Sequence, residues 1–287
     1  MKRTILIFHF ALVFATKLYA QKPDKVLARV RYTYTNLLDT LPSGKTRTEN
    51  MLLFTGKNAS LYTSYDKLNY EIASDNSFRA SIKNRIGNGR PQAVIIDTKP
   101  SEWMTTSSCL YFNKEDKFFT KEVIALQSYV YEEKPPQISW QITKDTLSFS
   151  GLSCKKATGK YNGKNWIAWF STEYPLPYGP WKLIGLPGLI IEAYDEDQLI
   201  KFQFAGIENA RAGEHERIDD VTKRPNAAPG DFNPIDQLIG RDVGTAYFEN
   251  TISLPQNAVK TDKKSLDKLK VAFKKDPKGF VKSSISF

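Results

Sequence analysis

The sequence predicts an α+β, β-rich protein: a curved, mostly antiparallel sheet of half-barrel shape with a few short helices. Three observations carry this reading. Apolar and polar residues alternate with a period of two along most of the chain, turn residues recur between the alternating runs, and the clearest helical spacing is confined to one stretch near residue 266. With 41% hydrophobic and 13% aromatic residues among 287, the chain can fill a sizeable core within one large domain.

The first 20 residues stand apart from the fold. Lys2 and Arg3 precede an almost uncharged apolar run, and Leu18-Tyr19-Ala20 places a small residue before Gln21, the pattern of a secretory signal peptide cleaved after Ala20. The run is shorter than the roughly 20 residues that cross a bilayer, and no later run is long enough. Residues 21–287 are then expected as a single β-rich domain, loop- and helix-containing from about residue 208 onward, in the periplasm or secreted. Cleavage removes Lys2, Arg3 and Lys17 from 41 basic and 31 acidic residues, leaving a net charge of about +7. Basic and acidic residues are mixed along the chain, so the surplus reads as a solvated surface. No nucleic-acid reader motif is present, and nucleic acid is not an expected partner. Cys109 and Cys154 are an even pair in an expected oxidising compartment, which makes them a candidate disulfide.

The elements follow in order. "VLARVRYTYT" alternates Val26, Ala28, Val30, Tyr32 and Tyr34 against a largely polar set, predicting a strand over 26–35. Met51–Phe54 and Ser60–Tyr65 read as a hairpin about Gly56-Lys57-Asn58, and 66–88 as a short helix or insertion. A strand is predicted over 92–98, then a pair at 110–113 and 117–120, and a single strand over 122–131. Pro135-Pro136 marks a loop, since proline cannot donate to a ladder. Strands are predicted at 139–142, 146–149, 155–161 and 165–171, with Asn162-Gly163 turning between the last two. Leu189–Tyr194 pairs with the run through Ile200, Phe202 and Phe204, around a tip formed by Asp195-Glu196-Asp197 that is expected to be solvated. Near the C-terminus Leu266, Leu269 and Phe273, behind a Thr261 or Asp262 cap and before Pro277, predict a basic amphipathic helix whose stripe packs on the sheet.

Between the aromatic strand and Leu189 lies "YGPWKLIGLPGLI". Gly185 and Gly188 permit backbone conformations closed to other residues, Pro187 fixes φ, and Leu186, Leu189 and Ile190 can anchor both sides of a bend in the core. A phosphate-cradling loop needs successive free amides at a helix start; here a proline removes one donor and a strand follows. The bend is therefore read as structural. "IGLPGLI" at 184–190, preceded by "GLSCKKATGKYNGKNW" and "AWFSTEYPLPYGPWKL", resembles the GLPGLI family of exported proteins, over roughly residues 151–197. Where that pattern leads one to expect arginine in the turn before the aromatic strand, this chain has Lys164. The resemblance implies a periplasmic or secreted location and supplies no catalytic residue.

Candidate chemistry is sparse. His9 leaves with the signal peptide and His215 lies in the charged run "GEHERIDD", so a histidine-rich metal site is excluded, and no metal or cofactor is expected. The density of Trp166, Trp169, Tyr178 and Trp181 points instead to a ligand- or partner-contacting surface, with Trp166 and Trp169 on opposite strand faces. The expected function is a non-enzymatic binding module for an apolar or amphiphilic envelope component, a lipid or other amphiphile, or for an envelope protein. The competing readings are an envelope glycan hydrolase using an Asp/Glu pair and a purely structural or export-associated protein.

Overall fold

The computed structural model describes residues 22–40, 44–73, 104–124, 127–211, 246–248, 250–255 and 258–277. The signal peptide with its cleavage after Ala20, the strand over 92–98, His215 and the C-terminal tail lie outside the described residues.

The described chain forms β1 (Asp24–Thr40), β2 (Thr46–Gly56), β3 (Ala59–Ser64), a helix α1 (65–73), β4 (Ser108–Phe112), β5 (Lys117–Ile124), β6 (Gln127–Glu133), β7 (Gln141–Phe149), β8 (Leu152–Tyr161), β9 (Lys164–Ser171), β10 (Leu189–Asp195), β11 (Ile200–Asn209), β12 (Thr251–Ile252), β13 (Val259–Lys260) and a helix α2 (Lys263–Lys275). They build one sheet in the order β13-β6-β5-β4-β3-β2-β1-β11-β10-β9-β8-β7, with β12 added to β1. Among these pairs only β13 with β6 is parallel. The sheet is thus two meanders, β1 to β6 and β7 to β11, joined where β1 pairs with β11. The chain is a β-rich, curved, mostly antiparallel sheet with few helices.

Chain connectivity dictates the curvature. β6 and β7 are consecutive in sequence yet lie ten strand steps apart in the sheet, about 48 Å if the sheet were flat at ~4.8 Å per step. The linker 134–140 can span at most ~28 Å when fully extended. The sheet therefore curls until its two sides approach, and Pro135-Pro136 sits in the extended crossing.

Two cores result. The concave side holds Val30, Tyr32, Met51, Leu53, Trp166 and Phe202 together with Tyr178, Leu183, Ile184, Leu186 and the start of β10 at Leu189–Ile191. The convex side of the first meander holds Leu52, Phe54, Leu61 and Phe112, covered by Leu68 of α1 and by Ala246 and Ile252. Consequently β3 is buried on both faces along its length. The amphipathic stripe of α2 packs on Ile124, Tyr129 and Tyr131 through Leu266, Leu269 and Phe273, and Lys270 pairs with Glu122. Asp262 is the N-cap, accepting from the Ser265 amide.

Several expectations change in detail. The alternation in β1 does not keep one face: Leu27 has no partner in the ladder between Val26↔Gly56 and Ala28↔Thr55. This bulge turns Val26 into the convex core while Val30 and Tyr32 enter the concave one. Arg29, on the supposedly polar face, is buried; it donates to Asn250 Oδ1 at 2.5 Å and lies over the Tyr247 ring. The run 122–131 is two strands, not one, because β5 ends at Ile124 and β6 starts at Gln127. No Gly, Pro or Asn stands between the two strands in the sequence to announce the break. Conversely, the segments predicted at 139–142 and 146–149 are one strand, β7, with a register shift between Ile142 and Thr146.

Cys109 and Cys154 are not bonded to one another; both are free, buried thiols. They sit on β4 and β8, with six strands between them in the sheet order. Burial pushes the Cys109 thiol up to about 12 and the Cys154 thiol up to about 11, so neither carries the thiolate that oxidation or nucleophilic chemistry requires.

Candidate functional site

The segment 174–188 leaves β9 and crosses the concave side before β10 begins. Its own backbone holds it in shape: the Leu183 amide donates to Pro180 O at 3.1 Å, Gly185 to Pro177 O at 3.1 Å, and Ile190 to Tyr178 O at 2.9 Å. Leu183, Ile184 and Leu186 point into the core, whereas Gly185 and Pro187 face outward. Gly185 has φ +93°, and a Cβ at Gly188 would collide with the Ser171 carbonyl at the end of β9. The extra residue at the register shift between Ile190 and Glu192 leaves a carbonyl that the Tyr32 hydroxyl satisfies, donating to Ile190 O at 2.6 Å. This bend is a plug for the curved sheet. Two of its side chains also reach the other meander, Lys182 pairing with Glu133 of β6 at 2.6 Å and Tyr178 meeting Tyr111 of β4 edge-on, and Trp140 of the crossing donates its Nε1 hydrogen to Ile184 O.

Beside the plug the concave side is not completely filled. A cavity of about 290 Å³ is lined by Tyr34, Met51, Tyr62, Trp166, Trp181, Ile200 and Phe202, with Arg47, Thr105, Ser107, Asn162 and Lys164 completing its wall. The aromatic rings brace one another. Phe202 stacks on Tyr34 at 5.2 Å and on Trp166 at 6.1 Å and meets Tyr62 edge-on, while Trp181 packs on Trp166 and Tyr161. Trp181 has φ +54°, an uncommon conformation for a bulky residue, held by the turn that closes on Leu183. The neighbouring Asn162-Gly163 turn has positive φ at both residues (51° and 76°), as a two-residue hairpin loop of this type requires, and it delivers Lys164 to the rim.

The charges around the cavity are organised. Arg47 donates to Asp39 at 2.8 Å, to Glu49 at 3.1 Å and to Thr105 Oγ1 at 2.8 Å. Burial opposes the Arg47 charge, but the hydrogen bonds to Asp39 and Glu49 outweigh it and raise its pKa. Glu49 is buried and also accepts from the Thr105 amide and hydroxyl. Lys164 reaches Asp195 at 2.6 Å, and the other Asp195 oxygen accepts from the Ile200 amide at 2.7 Å. Burial alone would raise the Asp195 carboxyl, yet these donors hold it below its ordinary value. Asp195 is 1% exposed, which corrects its place in a solvated acidic tip; only Glu196 and Asp197 face water. Two buried atoms of residues that line the cavity, the Tyr62 hydroxyl and Arg47 Nε, have no hydrogen-bond partner among the described residues. Burial raises the Tyr62 phenol well above its ordinary pKa, so it stays protonated.

Of the four aromatic residues singled out in the sequence, Trp166 and Trp181 line the cavity. Tyr178 is fully buried in the plug and presents no contact surface. Trp169 lies on the opposite face of β9 from Trp166, packed on Phe149 with its indole nitrogen 3.5 Å from the Tyr194 hydroxyl. The residues 185–190 act as the bend and leave the cavity to others. Tyr34, Arg47, Tyr62, Thr105 and Phe202 were missed, because they reach the cavity from β1, β2, β3, the approach to β4 and β11, which meet only in three dimensions.

No family model matches the chain, and neither does any curated protein. Two solved structures of PNGF-II, in different crystal forms, are similar to it at 12% identity, with TM-scores of 0.42 and 0.46. The matches cover 65% and 84% of this chain and 29% and 32% of the PNGF-II chains. This chain therefore spans about a third of the length of the proteins it matches.

Proposed function

We propose that this protein is an exported member of the GLPGLI family, periplasmic or secreted, and a non-enzymatic binding module that takes a small amphiphilic envelope component into the concave cavity. The observation that supports it most is the cavity wall itself: five aromatic rings converge on one void beside a small set of polar groups, the usual make-up of a small-molecule site. At ~30 Å³ per water, the void holds about ten waters, enough for one or two rings and too little for a complete acyl chain. The glycan-hydrolase reading draws less support. No carboxylate is among the lining residues, and the nearby Glu49 and Asp195 are buried and spend their oxygens on protein donors.

Native mass spectrometry of the protein purified from its own periplasm tests this reading. The expected result is a mature chain starting at Gln21 with a stoichiometric small amphiphile that denaturation releases, and occupancy falling at least tenfold in Trp181→Ala. A chain that carries nothing, or a ligand retained equally by Trp181→Ala, would sink the proposal.

A further inference from the structure

We infer that the outward face of α2 is a docking surface for an anionic phospholipid bilayer, held there by lysines in a reversible, salt-sensitive contact. The inference goes beyond the cavity reading and does not depend on it.

The mixing of charge along the chain fails in one place. α2 carries six lysines and one aspartate, Asp267, a surplus of five against about +7 for everything after Ala20. Adding the flanking Asp262 and Asp276 still leaves +3 on this short stretch. Lys263 pairs with Asp267 at 2.8 Å and Lys270 with Glu122. Lys264, Lys268, Lys274 and Lys275 are exposed and have no ion-pair partner among the described residues.

Their placement is directional. Leu266, Leu269 and Phe273 face the sheet, and at 3.6 residues per turn Lys264, Lys268, Val271 and Lys275 fall on the opposite side of the helix. Val271 is 68% exposed, the most exposed large apolar side chain among the described residues. It shares a shallow, open depression with Lys263, Lys264, Asp267 and Lys268. The helix itself gains little from this array. Lys274 and Lys275 suit the negative end of the macrodipole, but Lys264 stands in the first turn, where a cation is unfavourable, and repels Lys268 one turn on.

The complement of such a face is a fluid negative surface. All six cations are lysines, point charges on flexible stems, and none is the planar fork with which arginine reads one fixed carboxylate or phosphate. The apolar stripe that an interfacial helix would insert is spent on the sheet, so the attraction is electrostatic, with Val271 reaching the headgroup level.

Co-sedimentation of the full mature protein with vesicles tests the assignment, using phosphatidylcholine alone and phosphatidylcholine with phosphatidylglycerol at about two to one. Each lysine at an anionic surface adds about fivefold in affinity, so the mixed vesicles are expected to bind at least about a hundredfold more tightly than the neutral ones. Raising the salt to about 0.5 M should abolish the difference. Lys264→Gln/Lys268→Gln/Lys275→Gln is expected to lower binding about a hundredfold. Lys144→Gln/Lys155→Gln/Lys160→Gln, an equal charge change at exposed positions of β7 and β8, should leave it within about twofold. Equal losses in the two triple variants would reduce the effect to net charge and overturn the α2 assignment, as would equal binding to neutral vesicles or binding to neither. Retention on dextran sulfate without vesicle binding would give the face to a soluble polyanion and overturn the membrane reading as well.

Discussion

Gly188→Ala is expected to destabilise the protein by ~3 kcal/mol or more, while Gly185→Ala, three residues earlier in the same motif, costs about 1–2 kcal/mol. The two glycines are needed for different reasons. At Gly185 a Cβ meets nothing within 4 Å, so alanine suffers only the backbone cost of φ +93°. At Gly188 the added carbon would overlap the Ser171 carbonyl oxygen and lie 2.8 Å from its carbon. Both atoms belong to the backbone where Leu189 pairs with Ser171, so the clash can be relieved only by parting β9 from β10. Urea unfolding midpoints at constant m-value measure the difference. Equal losses at the two positions would show that the motif is not a packed bend.

Trp166→Ala has the second large effect, about 3–5 kcal/mol, the range for truncating a buried tryptophan. Trp166 is 1% exposed and touches both Trp181 and Phe202, so its loss opens the cavity wall as well as the core. Trp169→Ala, on the other face of the same strand, is expected to cost about 1–2 kcal/mol, because that ring is only half-buried and packs on Phe149 outside the core. Chemical denaturation of both variants decides whether β9 faces the way described; a larger loss at Trp169 would reverse the assignment.

Local signals were legible in the sequence where the physics is local. The Asn162-Gly163 turn could be read because those residue types tolerate positive φ, and the opposite orientation of Trp166 and Trp169 because strand periodicity is two. The helix with Leu266, Leu269 and Phe273 announced its cap, its stripe and its stop. The division of 122–131 could not be read, since no Gly, Pro, Asn or Asp stands between Ile124 and Gln127 in the sequence. Asp195 was illegible for a different reason: next to Glu196 and Asp197 it looks solvated, and only the fold brings Lys164 and the Ile200 amide to its oxygens. The cavity belongs to the same class. Tyr62 and Arg47 are ordinary strand residues until the β1–β11 pairing sets them opposite Trp166, and an unmet hydroxyl is visible only once every neighbour is placed.

The seven-residue crossing from β6 to β7 has a further consequence. Each meander is a run of neighbouring hairpins, but the halves meet through the single β1–β11 pairing, through the plug, and through β13 and α2, which return to β6 and β5. The crossing thus acts as a tether that keeps two complementary pieces at an effective concentration on the order of millimolar. Cutting it by a protease site placed at Pro135-Pro136 should leave a two-chain protein that stays associated at micromolar concentration and separates on dilution, whereas immediate separation would show that the tether supplies most of the cohesion. Read in this way, the molecule is an intramolecular heterodimer whose subunits share one chain, and the candidate binding cavity sits at their joint, drawing Arg47 and Tyr62 from one partner and Trp166, Trp181 and Lys164 from the other.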